Sequence, residues 1–212
     1  VIHNLSPRKE QPWIQVNCGS LPPNLLEAEI FGYVKGAFPE AKDVKPGCLA
    51  MAEKGTIYFN EIGEINLATQ LKLQSLLKDN EFQSLGSNHA QKADVRVIAS
   101  ANRDLRELVS QGRFRDDLYF RLAVVKLELP ALKDRCEDIP YLIDHFIQRF
   151  NAQKGKDIMG VSPQALEMLM CYDYPYNIRE IILREAGASM VQEGAYAFAN
   201  AVPYIQDALK RC

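Results

Sequence analysis

The run Gly55-Thr56-Ile57-Tyr58-Phe59-Asn60-Glu61-Ile62-Gly63-Glu64 holds the residues best suited to chemistry. Its β-forming residues deliver two polar side chains, Asn60 and Glu61, at a strand end. Sheets that hydrolyse nucleotides use such an end to hold magnesium and water. The first acidic group grips the metal shell and the second polarises the attacking water. The first position here is Asn60, an amide that accepts a hydrogen bond but brings no charge to Mg²⁺. Glu61 keeps the carboxylate that water activation needs. A strand ending on polar residues is also an ordinary structural feature, and this segment alone does not separate the two readings.

The elements that must position these residues follow from the apolar pattern. Residues 13–17 read as a short strand, and Pro22-Pro23 opens a helix over 24–31. Residues 32–47 are marked by Gly, Lys and Pro and read as a loop insertion. Residues 56–59 form the strand above. Leu67, Leu71, Leu73, Leu76 and Leu77 mark an amphipathic helix. A buried-type strand over 95–99, a short helix over 104–111 and a fourth strand over 124–129, stopped by Pro130, complete the first part. Strands alternating with helices predict βαβ units and a parallel sheet. Beyond Pro130 the pattern is helical only. Ile139, Leu142, Ile143, Phe146, Ile147 and Phe150 form one stripe. Ser162-Pro163 is an N-cap followed by a first-turn proline. Further helices are expected over 177–192 and 202–212. The chain therefore divides near residue 131, into an α/β part over 1–131 and a helical part over 132–212.

Composition excludes several classes. The 212 residues carry 25 basic and 27 acidic side chains, a net charge of −2, which argues against a strongly basic nucleic-acid-coating surface. No apolar run reaches the ~18 residues of a membrane span. Cys18, Cys48, Cys136, Cys171 and Cys212 are scattered without CxxC spacing, so neither a disulfide framework nor a metal site is expected. Reduced, scattered thiols fit the cytoplasm. His3, His89 and His145 lie far apart and read as solvated or satisfied. The chain starts at Val1 without Met, and is expected to be a piece of something longer.

Further motifs occur in a fixed order: Glu29-Ile30-Phe31-Gly32, Gly36-Ala37-Phe38, residues 55–64, Ser100-Ala101-Asn102-Arg103-Asp104-Leu105, the run from Gly112 to Leu122, and Asn177-Ile178-Arg179-Glu180. With them the chain, from about residue 2 to 194, closely resembles the AAA+ domain of bacterial enhancer-binding transcription activators, the sigma-54 interaction family of the NtrC type. Residues 195–212 do not clearly match. The resemblance implies an AAA+ P-loop NTPase-like three-layer sandwich with a C-terminal helical lid. It makes Glu61 the water-activating glutamate, with Asn60 where a magnesium-coordinating aspartate normally stands. Asn17 resembles the partner that restrains that glutamate, and Asn102 the sensor of the γ-phosphate. Arg115 and Arg121 match arginine fingers that reach a neighbouring subunit's nucleotide, a role suited to a permanently charged, bidentate guanidinium. Arg179 matches the lid sensor. A surface salt bridge is the alternative role for each arginine.

Two departures qualify the resemblance. No G-x-x-x-x-G-K-[ST] phosphate loop occurs in the 212 residues. The family places it, with the central strand, just upstream of a helix ending at Ile2-His3, and its backbone N–H cradle makes the main phosphate contacts. The family's G-A-F-T-G-A loop, which engages the sigma factor, reads Gly36-Ala37-Phe38-Pro39-Glu40-Ala41 here. Pro39 removes an N–H and fixes φ, and Glu40 replaces a glycine and adds charge. Degenerate loops of this kind occur in relatives that work with the housekeeping sigma factor, among them flagellar and biofilm regulators controlled by cyclic dinucleotides.

The expected function is therefore the nucleotide-binding central domain of a transcription regulator, with ATP and Mg²⁺ as the family's cofactors and hydrolysis weak or absent. The alternative is a non-hydrolysing dimerisation module that senses cyclic di-GMP. Expected partners are further copies of the chain in a dimer or hexameric ring, an RNA polymerase sigma factor, and promoter DNA through a separate domain; no membrane is expected. Arg8-Lys9 could meet an anionic ligand or be solvated.

Overall fold

The computed structural model describes residues 1–181. It divides into two compact units, Val1–Lys126 and Leu127–Cys212, the second described as far as residue 181.

The first unit opens with hydrogen-bonded turns over residues 1–12, followed by β1 (Trp13–Asn17) and α1 (Pro23–Phe31). A short antiparallel pair, β2 (Gly32–Tyr33) and β3 (Lys45–Pro46), closes the base of the 32–47 insertion. Then come α2 (Cys48–Met51), β4 (Thr56–Asn60), α3 (Leu67–Asp79), the hairpin β5 (Glu81–Gln83) with β6 (Ala90–Lys92), β7 (Arg96–Ala99), α4 (Leu105–Ser110) and α5 (Asp116–Leu122). The main sheet is parallel, in the order β1-β4-β7. One face of its central strand β4 carries Thr56, buried, and Tyr58, half-buried, and the other carries Ile57 and Phe59, both buried. Ile30 and Phe31 of α1, Leu73 and Leu76 of α3, Leu108 of α4 and Leu118 of α5 join them in one core. Each such side chain contributes about 1.5–3 kcal/mol by leaving water.

Local chemistry sets the helix ends. The Asn66 side chain accepts from the Thr69 N–H at 2.8 Å to start α3, and Asn80, left-handed at φ 54°, ends it. Asp104 caps α4 by accepting from the Arg106 N–H at 2.7 Å. His3 is satisfied rather than solvated: it is buried, and its Nδ1 lies 2.9 Å from the Thr56 hydroxyl.

Two sequence expectations are corrected. Residues 124–129 form no strand. The chain leaves α5 in a turn, and Val124, Val125, Leu127 and Leu129 are all more than two-thirds exposed. β-branched residues make a strand only where a ladder and a packing face receive them, and no described strand pairs with this segment. In α3, Leu67 and Leu71 are about half exposed, and the buried face is Thr69, Gln70, Leu73 and Leu76. The helix is as expected, but turned so that two polar residues face the core.

The second unit begins with a kinked 3₁₀ segment, Leu132–Asp138, then α6 (Ile139–Lys154) and α7 (Pro163–Met170). Leu132, Ile139, Ile143, Phe146, Tyr174 and Ile181 form its core. The Ser162 hydroxyl caps α7 through the Ala165 N–H, as Ser162-Pro163 predicts. Residues 178–181 are helical, in line with the start of the helix expected over 177–192. The rest of that helix and the one over 202–212 lie outside the described residues.

Candidate functional site

The parallel strands carry the polar residues of interest to one edge of the sheet. Asn17 ends β1 directly opposite Asn60, which ends β4. Ser100 follows β7, its N–H donating to Phe59 O at 2.9 Å, and Asn102 stands two residues further on, exposed. Carboxyl ends of parallel strands are where sheets of this kind take ligands.

Glu61 sits in the left-handed region, φ 57° and ψ 48°, uncommon outside glycine and asparagine. Its neighbours hold it there: Cys18 N–H donates to Asn60 O at 2.9 Å, Ile62 N–H to Ser100 O at 2.9 Å, and Glu64 N–H to Glu61 O at 3.0 Å. The turn lays the Glu61 carboxylate over Gly19, where a Cβ would collide with Oε2. Gly19 is needed for that approach. Asn17 acts on this arrangement through the turn: its Oδ1 accepts from the Gly19 N–H at 3.3 Å, and its carbonyl accepts from the Ser20 hydroxyl at 3.0 Å. Between Asn17 and Glu61, therefore, stands Gly19. Beneath them the Cys18 thiol is pushed up to about 12, mainly by burial and further by the Glu61 charge.

Asn60 is tied differently. Its Oδ1 accepts from the Ser100 hydroxyl at 2.9 Å and from the Tyr58 hydroxyl at 3.2 Å, and those two oxygens are 2.8 Å apart. Asn60, Tyr58 and Ser100 thus form one polar contact at the strand end. An amide at this position brings no charge to Mg²⁺, which favours charged oxygen ligands in a tight octahedron.

The arginines divide. Arg115 stands at the N-cap position of α5, without a side-chain cap bond, and pairs with Asp117 through two bonds, Nε to Oδ1 at 3.0 Å and Nη2 to Oδ2 at 2.7 Å. Hydrogen bonding to Arg115 lowers the Asp117 carboxyl below its ordinary value. Arg121 is exposed on the last turn of α5, with one long bond of 3.5 Å to Leu77 O. Arg179 lies exposed in the second unit, on the helical turn after Asn177, whose Oδ1 accepts from the Leu132 N–H at 2.7 Å.

Gln70 is a functional candidate that the sequence motifs do not mark. It is fully buried. Its Nε2 donates to Ile65 O at 2.9 Å and Arg113 O at 3.0 Å, and its Oε1 accepts from the Arg115 N–H at 2.8 Å. One amide thus joins the segment just after Glu61 to the segment that carries Arg115. A signal for it exists in the sequence: Gln70 falls in phase with Leu73 and Leu76 on the buried face.

Gly36 to Ala41 closes on itself. Gly36 N–H donates to Ala41 O at 2.8 Å and Ala41 N–H to Phe38 O at 2.9 Å, and the Phe38 ring meets Tyr33 edge-on at 4.8 Å. Ala41 is buried, Pro39 and Glu40 are exposed, and Ala37 packs against Gly86. Val34 N–H donates to Leu85 O at 3.0 Å and Leu85 N–H to Gly32 O at 2.9 Å, so the 32–47 insertion is laced to the β5–β6 hairpin. Arg8 is not simply solvated: its guanidinium donates to Gly55 O, to Asp94 O and to the Asp94 carboxylate. Lys9 is exposed, 3.9 Å from Glu10, and lines an open hollow of about 770 Å³ with His3, Trp13, Tyr58 and Ile98.

Family comparison agrees with this geometry. The Sigma-54 interaction domain model matches residues 1–128, and an AAA+ ATPase lid domain model matches residues 133–200. The chain belongs to the sigma-54 interaction domain family and has the α/β AAA+ fold with a helical lid. It is 42% identical over 202 residues to the regulatory protein AtoC of Escherichia coli K12, covering 95% of this chain and 44% of AtoC. It is 45% identical over 181 residues to the Nif-specific regulatory protein of Herbaspirillum seropedicae, covering 85% and 33% of the two chains. The crystal structure of NtrX from Brucella abortus in complex with ATP superposes with a TM-score of 0.83 at 32% identity, covering 91% of this chain and 42% of NtrX. The chain spans less than half the length of these relatives.

Proposed function

We propose that the chain is the central AAA+ domain of a bacterial transcription regulator, binding nucleotide at subunit interfaces to control oligomerisation and transcription activation. The observation that carries this is the juxtaposition at the sheet edge: Glu61 in its left-handed turn at the end of β4, flanked by Asn17 and followed on the next strand by Ser100 and Asn102. Adenine nucleotide is the ligand of first choice, since the NtrX structures hold ATP or ADP. Glu61 would polarise water and Asn102 would read the terminal phosphate. Arg115 and Arg121 would reach a neighbour's nucleotide in a dimer or hexameric ring, and Arg179 would touch phosphate from the lid. Sigma factor and promoter DNA, the latter through a separate domain, are the partners. Hydrolysis is weak or absent, because Asn60 replaces an acid.

A second reading, a cyclic di-GMP-sensing module that works with the housekeeping sigma factor without hydrolysis, is favoured by Pro39 and Glu40 in the sigma-factor loop. Thermal melting of the intact protein with ATP, ADP or cyclic di-GMP separates them. A ligand at about 100 times its Kd stabilises by about 2.7 kcal/mol. A shift with adenine nucleotide that Asn102→Ala abolishes is expected. A shift with cyclic di-GMP alone selects the second reading, and no shift with any of the three overturns both.

A further inference from the structure

We propose that Asp117 is a positioning residue for Arg115: it holds one side of the guanidinium and so presents the far end to the phosphate of a neighbouring subunit's nucleotide. The inference rests on the role proposed for Arg115, and adds to it the residue that prepares that side chain.

A guanidinium carries five N–H donors in a rigid planar fork. Asp117 takes two of them from one side, Nε–H to Oδ1 at 3.0 Å and one Nη2–H to Oδ2 at 2.7 Å. The second Nη2–H and one Nη1–H then stand parallel at the far end, the edge that grips a phosphate through two bonds. That edge has no hydrogen-bond partner among the described residues. Both side chains remain partly open to solvent.

Both ends of the pair are fixed to the frame. The Arg115 N–H donates to Oε1 of the buried Gln70 at 2.8 Å, and Phe114 and Leu118 beside it are buried. Asp117 Oδ1 also accepts from the Leu118 N–H at 2.8 Å. A surface ion pair is ordinarily worth little, but a bidentate one on a fixed base orders a long side chain in advance. Arg121 is the contrast: its guanidinium has one bond of 3.5 Å, to Leu77 O, and no carboxylate partner among the described residues. Of the two arginines proposed to reach a neighbour, Arg115 is the one held ready. The pair also sets the sign of a test. Charge alone makes Asp117 repel a phosphate, so its removal would strengthen the contact; as a positioning group, its removal weakens it.

The test measures ATP-dependent self-association of the intact protein by sedimentation velocity. Asp117→Asn keeps the volume and an acceptor for the Leu118 N–H. It is expected to raise the protein concentration of half-association about three- to tenfold, the scale of ordering one long side chain at an interface. Its melting temperature without nucleotide should stay close to that of wild type, as for an exposed pair. Asp116→Asn removes the same charge one residue away without touching the fork, and is expected to leave association unchanged or slightly stronger. Arg115→Met is expected to weaken association at least as much as Asp117→Asn, and the double variant no further than Arg115→Met, within about twofold. Unchanged or stronger association in Asp117→Asn, an equal loss in Asp116→Asn, or an added loss in the double variant overturns the inference and leaves the proposed function standing. A nucleotide-free melting temperature that falls in step with association makes the pair a structural brace and overturns it too. A wild type that does not associate with ATP, or an Arg115→Met protein that associates like wild type, overturns the role proposed for Arg115 and this inference with it.

Discussion

Replacing Gln70 should unfasten the segment that carries Arg115 from the segment behind Glu61. Gln70→Leu keeps nearly the same volume but leaves Ile65 O, Arg113 O and the Arg115 N–H without their partner. An orphaned buried polar group costs about 1–3 kcal/mol. Two of the three bonds lie partly in reach of water, so the expected loss is about 3–4 kcal/mol rather than the full sum. Gln70→Ala adds a cavity and should cost about 1 kcal/mol more. Trp13 is the only tryptophan and lies in the first unit, so its fluorescence during urea unfolding reports on that unit selectively. Amide exchange of the peptide containing Arg115 supplies the local readout, and its protection should fall in both variants.

A third variant gives the sign. Gln70→Glu keeps an acceptor for the Arg115 N–H but turns a carboxylate oxygen toward two carbonyls. Burial and that repulsion raise its folded pKa above the unfolded value of about 4.3. A raised folded pKa means that the variant is least penalised below the unfolded pKa and loses stability as pH rises through the folded one. The gap between Gln70→Glu and wild type should therefore be small near pH 4 and widen toward neutrality. A loss under about 1 kcal/mol for Gln70→Leu, or a gap for Gln70→Glu that narrows with rising pH, refutes the reasoning.

Three further outcomes follow from the geometry. The Cys18 thiol, pushed up to about 12, should resist iodoacetamide at neutral pH in the native protein while exposed Cys171 reacts; its contribution to stability is complete below about pH 9 and is lost at up to about 1.4 kcal/mol per unit as pH rises toward 12. Gly19→Ala should shift the melting temperature little, because the group it meets is the flexible end of Glu61, yet it should displace that carboxylate and change nucleotide binding or turnover; unchanged binding and turnover would contradict the assignment of the turn. Gly47→Ala drives a Cβ into the backbone of Ile30, Phe31 and Gly32, so soluble expression should be lost or urea resistance should fall by about 3 kcal/mol or more.

What can be read in the sequence depends on whether the signal is local. The strand over 56–59 with its Asn60-Glu61 ending, and the helices starting at Ser162 and near Pro23, are legible because caps and apolar runs are local features. Residues 124–129 mislead because a β-branched run specifies a strand only in the presence of a partner strand. Leu67 and Leu71 mislead because leucines alone mark a face ambiguously; the buried polar pair Thr69 and Gln70 fixes it. The Tyr58–Asn60–Ser100 contact joins residues 40 apart, and no periodicity encodes it. The left-handed turn at Glu61 is equally hidden, since nothing in glutamate favours it.

The loop over 36–41 and the strand end at Asn60 lie in different parts of the first unit. Pro39 and Glu40 lie at an exposed tip, and the loop's internal bonds and its lacing to Leu85 use the backbone of Gly32, Val34, Gly36, Phe38 and Ala41. Those bonds ask nothing of the side chains at 39 and 40, so the tip can change its chemistry while the base of the insertion stays folded. Asn60 is the opposite case. Its side chain is built into a three-group contact in the sheet with Tyr58 and Ser100, a contact that an aspartate could also make. The fold thus tolerates both departures for separate physical reasons, and reverting one should not restore the other. In a double-mutant cycle, Asn60→Asp combined with Pro39→Thr should be additive in stability within about 0.5 kcal/mol. Coupling beyond that would mean that the two sites share a structural element, which the described contacts do not provide.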